Sequence, residues 1–176
     1  MAREARAADL IITGANYDKP MLDPFRRLNP SALVIEAGRP LFIVPAEAKW
    51  TKARNVLVAW KDTREARRAV SDALPLLQKA AEVNVVEIVE DNNEAAAQNR
   101  VNDVAGWLGQ HGVQARGMAA ATAESVQNQL DTVADNLGAD VIVAGAYGHA
   151  RLTEWVFGGV TNDLLTRSQH FSMLSH

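Results

Sequence analysis

The segment Ala8-Asp9-Leu10-Ile11-Ile12-Thr13-Gly14-Ala15 returns about 130 positions later as Ala139-Asp140-Val141-Ile142-Val143-Ala144-Gly145-Ala146. The correspondence goes on. Leu33-Val34-Ile35 followed by Leu41-Phe42-Ile43-Val44 aligns with Asp163-Leu164-Leu165 followed by Phe171-Ser172-Met173-Leu174. Two copies of one supersecondary unit therefore share the chain, and they are unequal. Little sequence precedes Ala8, whereas the long stretch from Arg54 onward belongs to the copy that contains Ala139. The expected division is 1–48 as the C-terminal remnant of a first repeat, 49–54 as a linker, and 55–176 as a complete second repeat. Composition agrees: 176 residues, 48% hydrophobic and 22% charged, suit one compact domain with some chain left over.

Charge and residue types remove several classes of chemistry. With 18 Lys and Arg against 21 Asp and Glu, the net charge of -3 supplies no basic field to hold a nucleic-acid backbone, so no nucleic-acid partner is expected. The absence of cysteine excludes disulfides, thiolate nucleophiles and Cys-ligated metals. The longest apolar runs, Leu41 to Val44 and Val141 to Gly145, are far too short for a bilayer, which leads to the expectation of a soluble, cytoplasmic protein without a membrane partner.

Within the second copy, Val56 to Trp60 and Val83 to Val89 read as β-branched strands. Between them, Ala66, Val70, Ala73, Leu77 and Ala80 recur at helical spacing over Thr63 to Ala81, with Pro75 as a kink or a lost hydrogen bond. Further helices are expected over Asn93 to Gln110, around Val126 to Leu137 and near Thr161 to Arg167. Weaker strand signals cover Val113 to Met118, and stronger ones Val141 to Ala144 and Phe171 to Leu174. Apolar strands alternating with amphipathic helices indicate an α/β fold with a parallel sheet covered on both faces.

The segment after Val141 to Ala144 carries the chemistry. Gly145-Ala-Tyr-Gly148, nine residues, then Gly158-Gly159-Val160-Thr161 open a helix. A glycine directly after a parallel strand permits positive φ and close approach of a ligand to the backbone. Unpaired N–H groups, the positive end of a helix dipole and a hydroxyl at the following helix start favour phosphate. The same glycines would also serve if they did no more than make tight turns.

Gly145-x2-Gly148-x9-Gly158 resembles the phosphate loop of the universal stress protein family, in which Ser or Thr follows the last glycine. The resemblance covers Arg54 to the end, and Ala8 to Val44 resembles the tail of a preceding domain in tandem members. It implies a parallel five-stranded sheet sandwiched by helices, adenine nucleotide α-hydrolase-like, plus a partial N-terminal repeat. It also implies ATP or another adenine nucleotide as ligand. The family's acidic residue against the nucleoside matches Asp62, and its backbone contact to adenine matches Ile88. Gly145, Gly148 and Gly158 match the phosphate loop, with Gly159 and Thr161 at the helix start and Arg151 within the loop as a possible phosphate-neutralising cation. Gly159 stands where the family has Ser or Thr; a backbone N–H survives that change but the hydroxyl does not, and the next hydroxyl along the chain is that of Thr161. The first copy lacks the second glycine, and the three prolines at 20, 24 and 30 remove backbone N–H groups from its loop, which assigns it a structural role.

Other residues read more simply. His149 within the loop is expected to be solvated, Trp155 and Phe157 to pack, and Asp9 and Asp140 to be turn residues before strands. His111, His170 and His176 are scattered, so no metal site is expected.

The resemblance implies a non-enzymatic stress-response module that binds an adenine nucleotide and changes its partner binding. The alternative is a nucleotide-free scaffold or dimerisation protein of the same fold. A hydrolase or ligase of the wider group ranks last, because no nucleophile or metal ligand is visible beyond Asp62. In the family the last strands of two domains pair antiparallel, so Leu41 to Val44 is expected beside Phe171 to Leu174, with Leu10 to Thr13 as an exposed edge. A short apolar edge with free N–H and C=O groups invites another chain, and a homo-oligomer, a dimer, is expected.

Overall fold

The computed structural model describes residues 4–15, 30–47, 51–90, 93–122, 125–147, 159–166 and 169–176. After a single 3-10 turn, Glu4–Ala7, the chain runs through β1 (Ile11–Gly14), α1 (Pro30–Glu36) and β2 (Leu41–Val44). Then follow β3 (Asn55–Ala59), α2 (Arg64–Leu77), β4 (Glu82–Val89), α3 (Glu94–Gln110) and β5 (Ala115–Ala121). The chain closes with α4 (Val126–Asn136), β6 (Val141–Gly145), α5 (Gly159–Thr166) and β7 (Phe171–Ser175).

All seven strands form one sheet in the order β1-β2-β7-β6-β3-β4-β5. Every neighbouring pair is parallel except β2 and β7, which run antiparallel with Leu41 opposite Leu174 and Ile43 opposite Ser172. The sheet therefore has seven strands, not five. Five of them, β3 to β7, belong to the second copy, and β1 and β2 of the first extend the sheet past β7. A physical reason is the edge of β7: left open, it would expose a row of unpaired backbone groups, and β2 covers that row with Leu41 and Ile43 fully buried. The antiparallel seam and the outer position of β1 are as the family resemblance leads one to expect.

Helices cover the sheet from both sides, and the alternation of side chains along each strand divides the core in two. On one side Leu57, Ile142, Ala144 and Leu174 pack against Leu33 and Val34 of α1, Leu130 and Val133 of α4, and Leu164 and Leu165 of α5. On the other, Val56, Val58, Val141, Val143 and Met173 pack against Ala66, Val70 and Leu77 of α2 and Val101 and Leu108 of α3.

Local chemistry sets the helix boundaries. Thr63 caps α2 by accepting the Ala66 N–H at 3.2 Å, and Ser125 caps α4 by accepting that of Asn128 at 3.1 Å. Pro75 sits in the last turn of α2, which stops at Leu77, short of the Ala81 expected from spacing. Gly112 and Gly138 follow α3 and α4 with φ of +78° and +58°, the left-handed conformation that ends helices. Asp140 is more than a turn residue: its carboxylate accepts the N–H of Arg54 at 2.8 Å and of Asn55 at 3.0 Å, tying the starts of β6 and β3 together.

The middle of the β5 edge is capped. Gln98 of α3 donates to the Gly117 carbonyl at 2.9 Å and accepts the Ala119 N–H at 3.0 Å, so a side-chain amide takes the place of a further strand. Gly117 permits the approach, since a Cβ there would lie 2.7 Å from the Val101 carbonyl carbon. Among the described residues no helix is long and apolar enough to cross a membrane.

Candidate functional site

The parallel strands β3, β4, β6 and β7 deliver their carboxyl ends to one end of the sheet, where open α/β sheets bind ligands. Ala59 lies opposite Ala144, and Gly145 opposite Ser175. Trp60, Gly145 and Ser175 thus form a row across adjacent strand ends, on the face covered by α2. The Trp60 Nε1 and the Ser175 Oγ are both buried with no hydrogen-bond partner among the described residues.

Gly145 holds this row together in a way that its place in the sequence does not announce. Its backbone is not in the left-handed region; a Cβ on it would lie 2.5 Å from the Ala66 nitrogen and 2.6 Å from the Glu65 carbonyl carbon. The missing side chain therefore makes room for the first turn of α2. The positive φ expected of the glycine falls instead on Tyr147, at +61°. Gly14, its counterpart in the first copy, has nothing within 4 Å of the same position, and among the described residues no helix covers β1 on that face.

Glu65, in that first turn, is a buried carboxylate. Burial on its own would raise its pKa, but its own backbone N–H, Arg64 and the charge of His176 outweigh burial and hold it below its ordinary value of 4.5. Arg64 Nε donates to its Oε1 at 3.0 Å. His176 Nδ1 lies 3.0 Å from the Ala146 carbonyl, and its ring meets Tyr147 edge-on at 6.5 Å.

The residues singled out from the sequence distribute as follows. Asp62 lies exposed two residues beyond Trp60 and is ion-paired with Arg67 of α2. Ile88 is half-buried near the end of β4. Gly145 ends β6, Gly159 opens α5, and Thr161 is buried in the first turn of α5. Gly148, Arg151 and Gly158 lie outside the described residues, as do His149, Trp155 and Phe157. His111 lies 2.9 Å from the Trp107 carbonyl, and His170 lies 3.1 Å from the Ala139 carbonyl and 3.2 Å from Asp135. Glu65, Trp60 and Ser175 were not singled out. The signal for Glu65 was its place two residues after the Thr63 cap, but its burial depends on β6 and β7 lying beneath.

No family model matches the chain, and no curated protein does. Solved structures do. A universal stress protein from Archaeoglobus fulgidus, 14% identical, superposes over 99% of this chain and 63% of its own with a TM-score of 0.67. The chain thus spans less than two thirds of that protein. The universal stress protein UspA from Lactobacillus plantarum, also 14% identical, matches over 72% of this chain and 100% of its own, with a TM-score of 0.62. A universal stress protein in complex with cAMP, 19% identical, matches over 70% and 96% with a TM-score of 0.55. The fold is that of the universal stress proteins.

Proposed function

We propose that the chain is a stress-response module of the universal stress protein type that binds an adenine nucleotide at the carboxyl ends of β3, β4 and β6. In this reading it acts by associating with itself or with a protein partner rather than by turning over a substrate, and it works in the cytoplasm. The observation that carries the reading is the meeting of two loops. Trp60-Lys61-Asp62 and Gly145-Ala146-Tyr147 leave the adjacent parallel strands β3 and β6 at the same end of the sheet. The cAMP complex of one fold neighbour supports an adenine nucleotide as the ligand class.

The described residues suit such a ligand in part. Asp62 is exposed and placed to accept hydrogen bonds from ribose hydroxyls, with Arg67 holding its carboxylate. The backbone of Ile88 would face the base, and the N–H groups of Gly148, Gly158 and Gly159, with Arg151 and Thr161, would hold the phosphates. A bound nucleotide would supply charge and shape that alter which surfaces the module offers to partners.

A second reading, a nucleotide-free scaffold of the same fold, is favoured by two observations. Gly159 removes the hydroxyl that the family places after the last glycine, and the Glu65 carboxylate puts a buried negative charge at the same end of the sheet. Equilibrium binding of ATP, AMP and cAMP to the purified chain, paired with an assay for released inorganic phosphate, separates the readings. Saturable binding without phosphate release supports the first. No binding supports the scaffold, and phosphate release would overturn both.

A further inference from the structure

Ser175 and His176 hold the turn that leaves β6 by both polar groups of one residue. The Ala146 N–H donates to the Ser175 carbonyl at 2.7 Å, and the Ala146 carbonyl lies 3.0 Å from His176 Nδ1. A carbonyl can only accept, so Nδ1 carries a proton and donates. The strand behind this bond is a firm support: β7 is paired on both sides, with β2 and β6, and Ser172 and Leu174 are fully buried. The next residue needs that support. Tyr147 holds a φ of +61°, which is unfavourable for a bulky side chain and persists only where the surroundings fix it. The His176 ring meets the Tyr147 ring edge-on at 6.5 Å, so one imidazole touches both residues of the turn.

The first copy supplies a comparison within the same chain. Its register sets Gly14 opposite Val44, as the second copy sets Gly145 opposite Ser175, so Ala15 corresponds to Ala146 and Pro45 to His176. The backbone bond is kept, with the Ala15 N–H donating to the Val44 carbonyl at 2.9 Å. The side-chain bond is not, because Pro45 has no donor. Tying the turn to its neighbouring strand is thus met by the backbone alone, and the imidazole is added in the copy whose sequence carries the glycine loop.

We infer that His176 is a positioning residue, which holds the Gly145-Ala146-Tyr147 turn in the shape that meets the ligand. The inference rests on the reading of this end of the sheet as a nucleotide site, and it places one determinant of affinity outside both ligand loops, just beyond β7. Without the imidazole the Ala146 carbonyl is free to rotate and Tyr147 to relax, so the turn presents a different backbone to the nucleotide.

Two measurements on the whole chain test it. In the isotope-labelled wild type without nucleotide, proton–nitrogen spectra recorded where the His176 ring carries a single proton are expected to place that proton on Nδ1. A proton on Nε2 overturns the inference. Calorimetric titration with ATP, AMP and cAMP then compares His176→Ala, His176→Asn and His176→Gln. The Asn amide nitrogen stands as far along the side chain as Nδ1, and the Gln nitrogen as far as Nε2. His176→Ala and His176→Gln are expected to weaken binding about tenfold, and His176→Asn to recover most of the loss. Affinity that merely follows the melting temperature across the three variants, with no advantage for Asn, overturns the inference, and so does wild-type affinity in His176→Ala. If a variant fails to fold, the position of the ring proton decides. A wild type that binds none of the three nucleotides overturns the ligand reading itself, while the ring proton, read without nucleotide, still decides whether His176 holds the turn. Failure of one reading is therefore distinguishable from failure of the other.

Discussion

The Gln98 side chain faces Ala119 as a strand would, accepting its N–H at 3.0 Å while donating to the Gly117 carbonyl at 2.9 Å. Gln98→Ala removes both bonds from the Gly117 carbonyl and the Ala119 N–H. It is expected to cost about 1–2 kcal/mol in urea unfolding.

Gly145 and Gly14 occupy equivalent positions in the two copies but face different surroundings. Gly145→Ala forces a Cβ against the Ala66 nitrogen and is expected to destabilise the fold by about 1–3 kcal/mol. Gly14→Ala meets no atom within 4 Å and is expected to be neutral or to stabilise by about 0.5 kcal/mol. Chemical denaturation of the two variants side by side checks the contrast; equal costs would show that α2 does not rest on Gly145.

Much of this architecture is legible in the sequence because it is periodic. The β-branched runs and the 3- and 4-residue spacing of Ala66, Val70, Ala73 and Leu77 mark the strand–helix alternation, and the echo of Ala8 to Val44 marks β2 and β7 as equivalent strands, whose antiparallel seam the family resemblance implies. Less legible is what depends on contacts between distant segments. Nothing around Gly145 reveals that a helix starting some eighty residues earlier presses on it, so a ligand-facing role is the natural inference. Gln98 reads as one polar residue on a helix until β5 is seen beneath it. Asp62, Ile88 and Gly145 do come to one end of the sheet, because the alternation of parallel strands and helices requires it.

Glu65 makes stability depend on acid. Its folded pKa lies below its ordinary value of 4.5, so its contribution is fully present above that value and is lost as pH falls through the folded value. The melting temperature of the wild type should therefore fall below pH 4.5. Glu65→Gln is expected to cost about 1 kcal/mol at pH 7 and to flatten the acid limb. Thermal melts from pH 3 to 7 provide the comparison, and parallel curves would remove Glu65 from the account.

Gly159 tests the ligand directly. Gly159→Ser restores a hydroxyl at the start of α5 and is expected to tighten ATP binding by about 1 kcal/mol, roughly fivefold in Kd. Gly148→Val is expected to weaken it strongly, by placing a Cβ where the backbone approaches phosphate. Isothermal titration gives both values. No change in either variant would move the phosphates elsewhere.

The seam between β2 and β7 also has a kinetic consequence. Leu41 pairs with Leu174 about 130 residues away, so this contact closes a very long loop and raises the contact order of the whole fold. The β3 to β7 segment can assemble through nearer neighbours, but β1 and β2 gain their place only once β7 is in position. A chain in which they have not yet docked leaves β7 with an open row of backbone groups on its outer side.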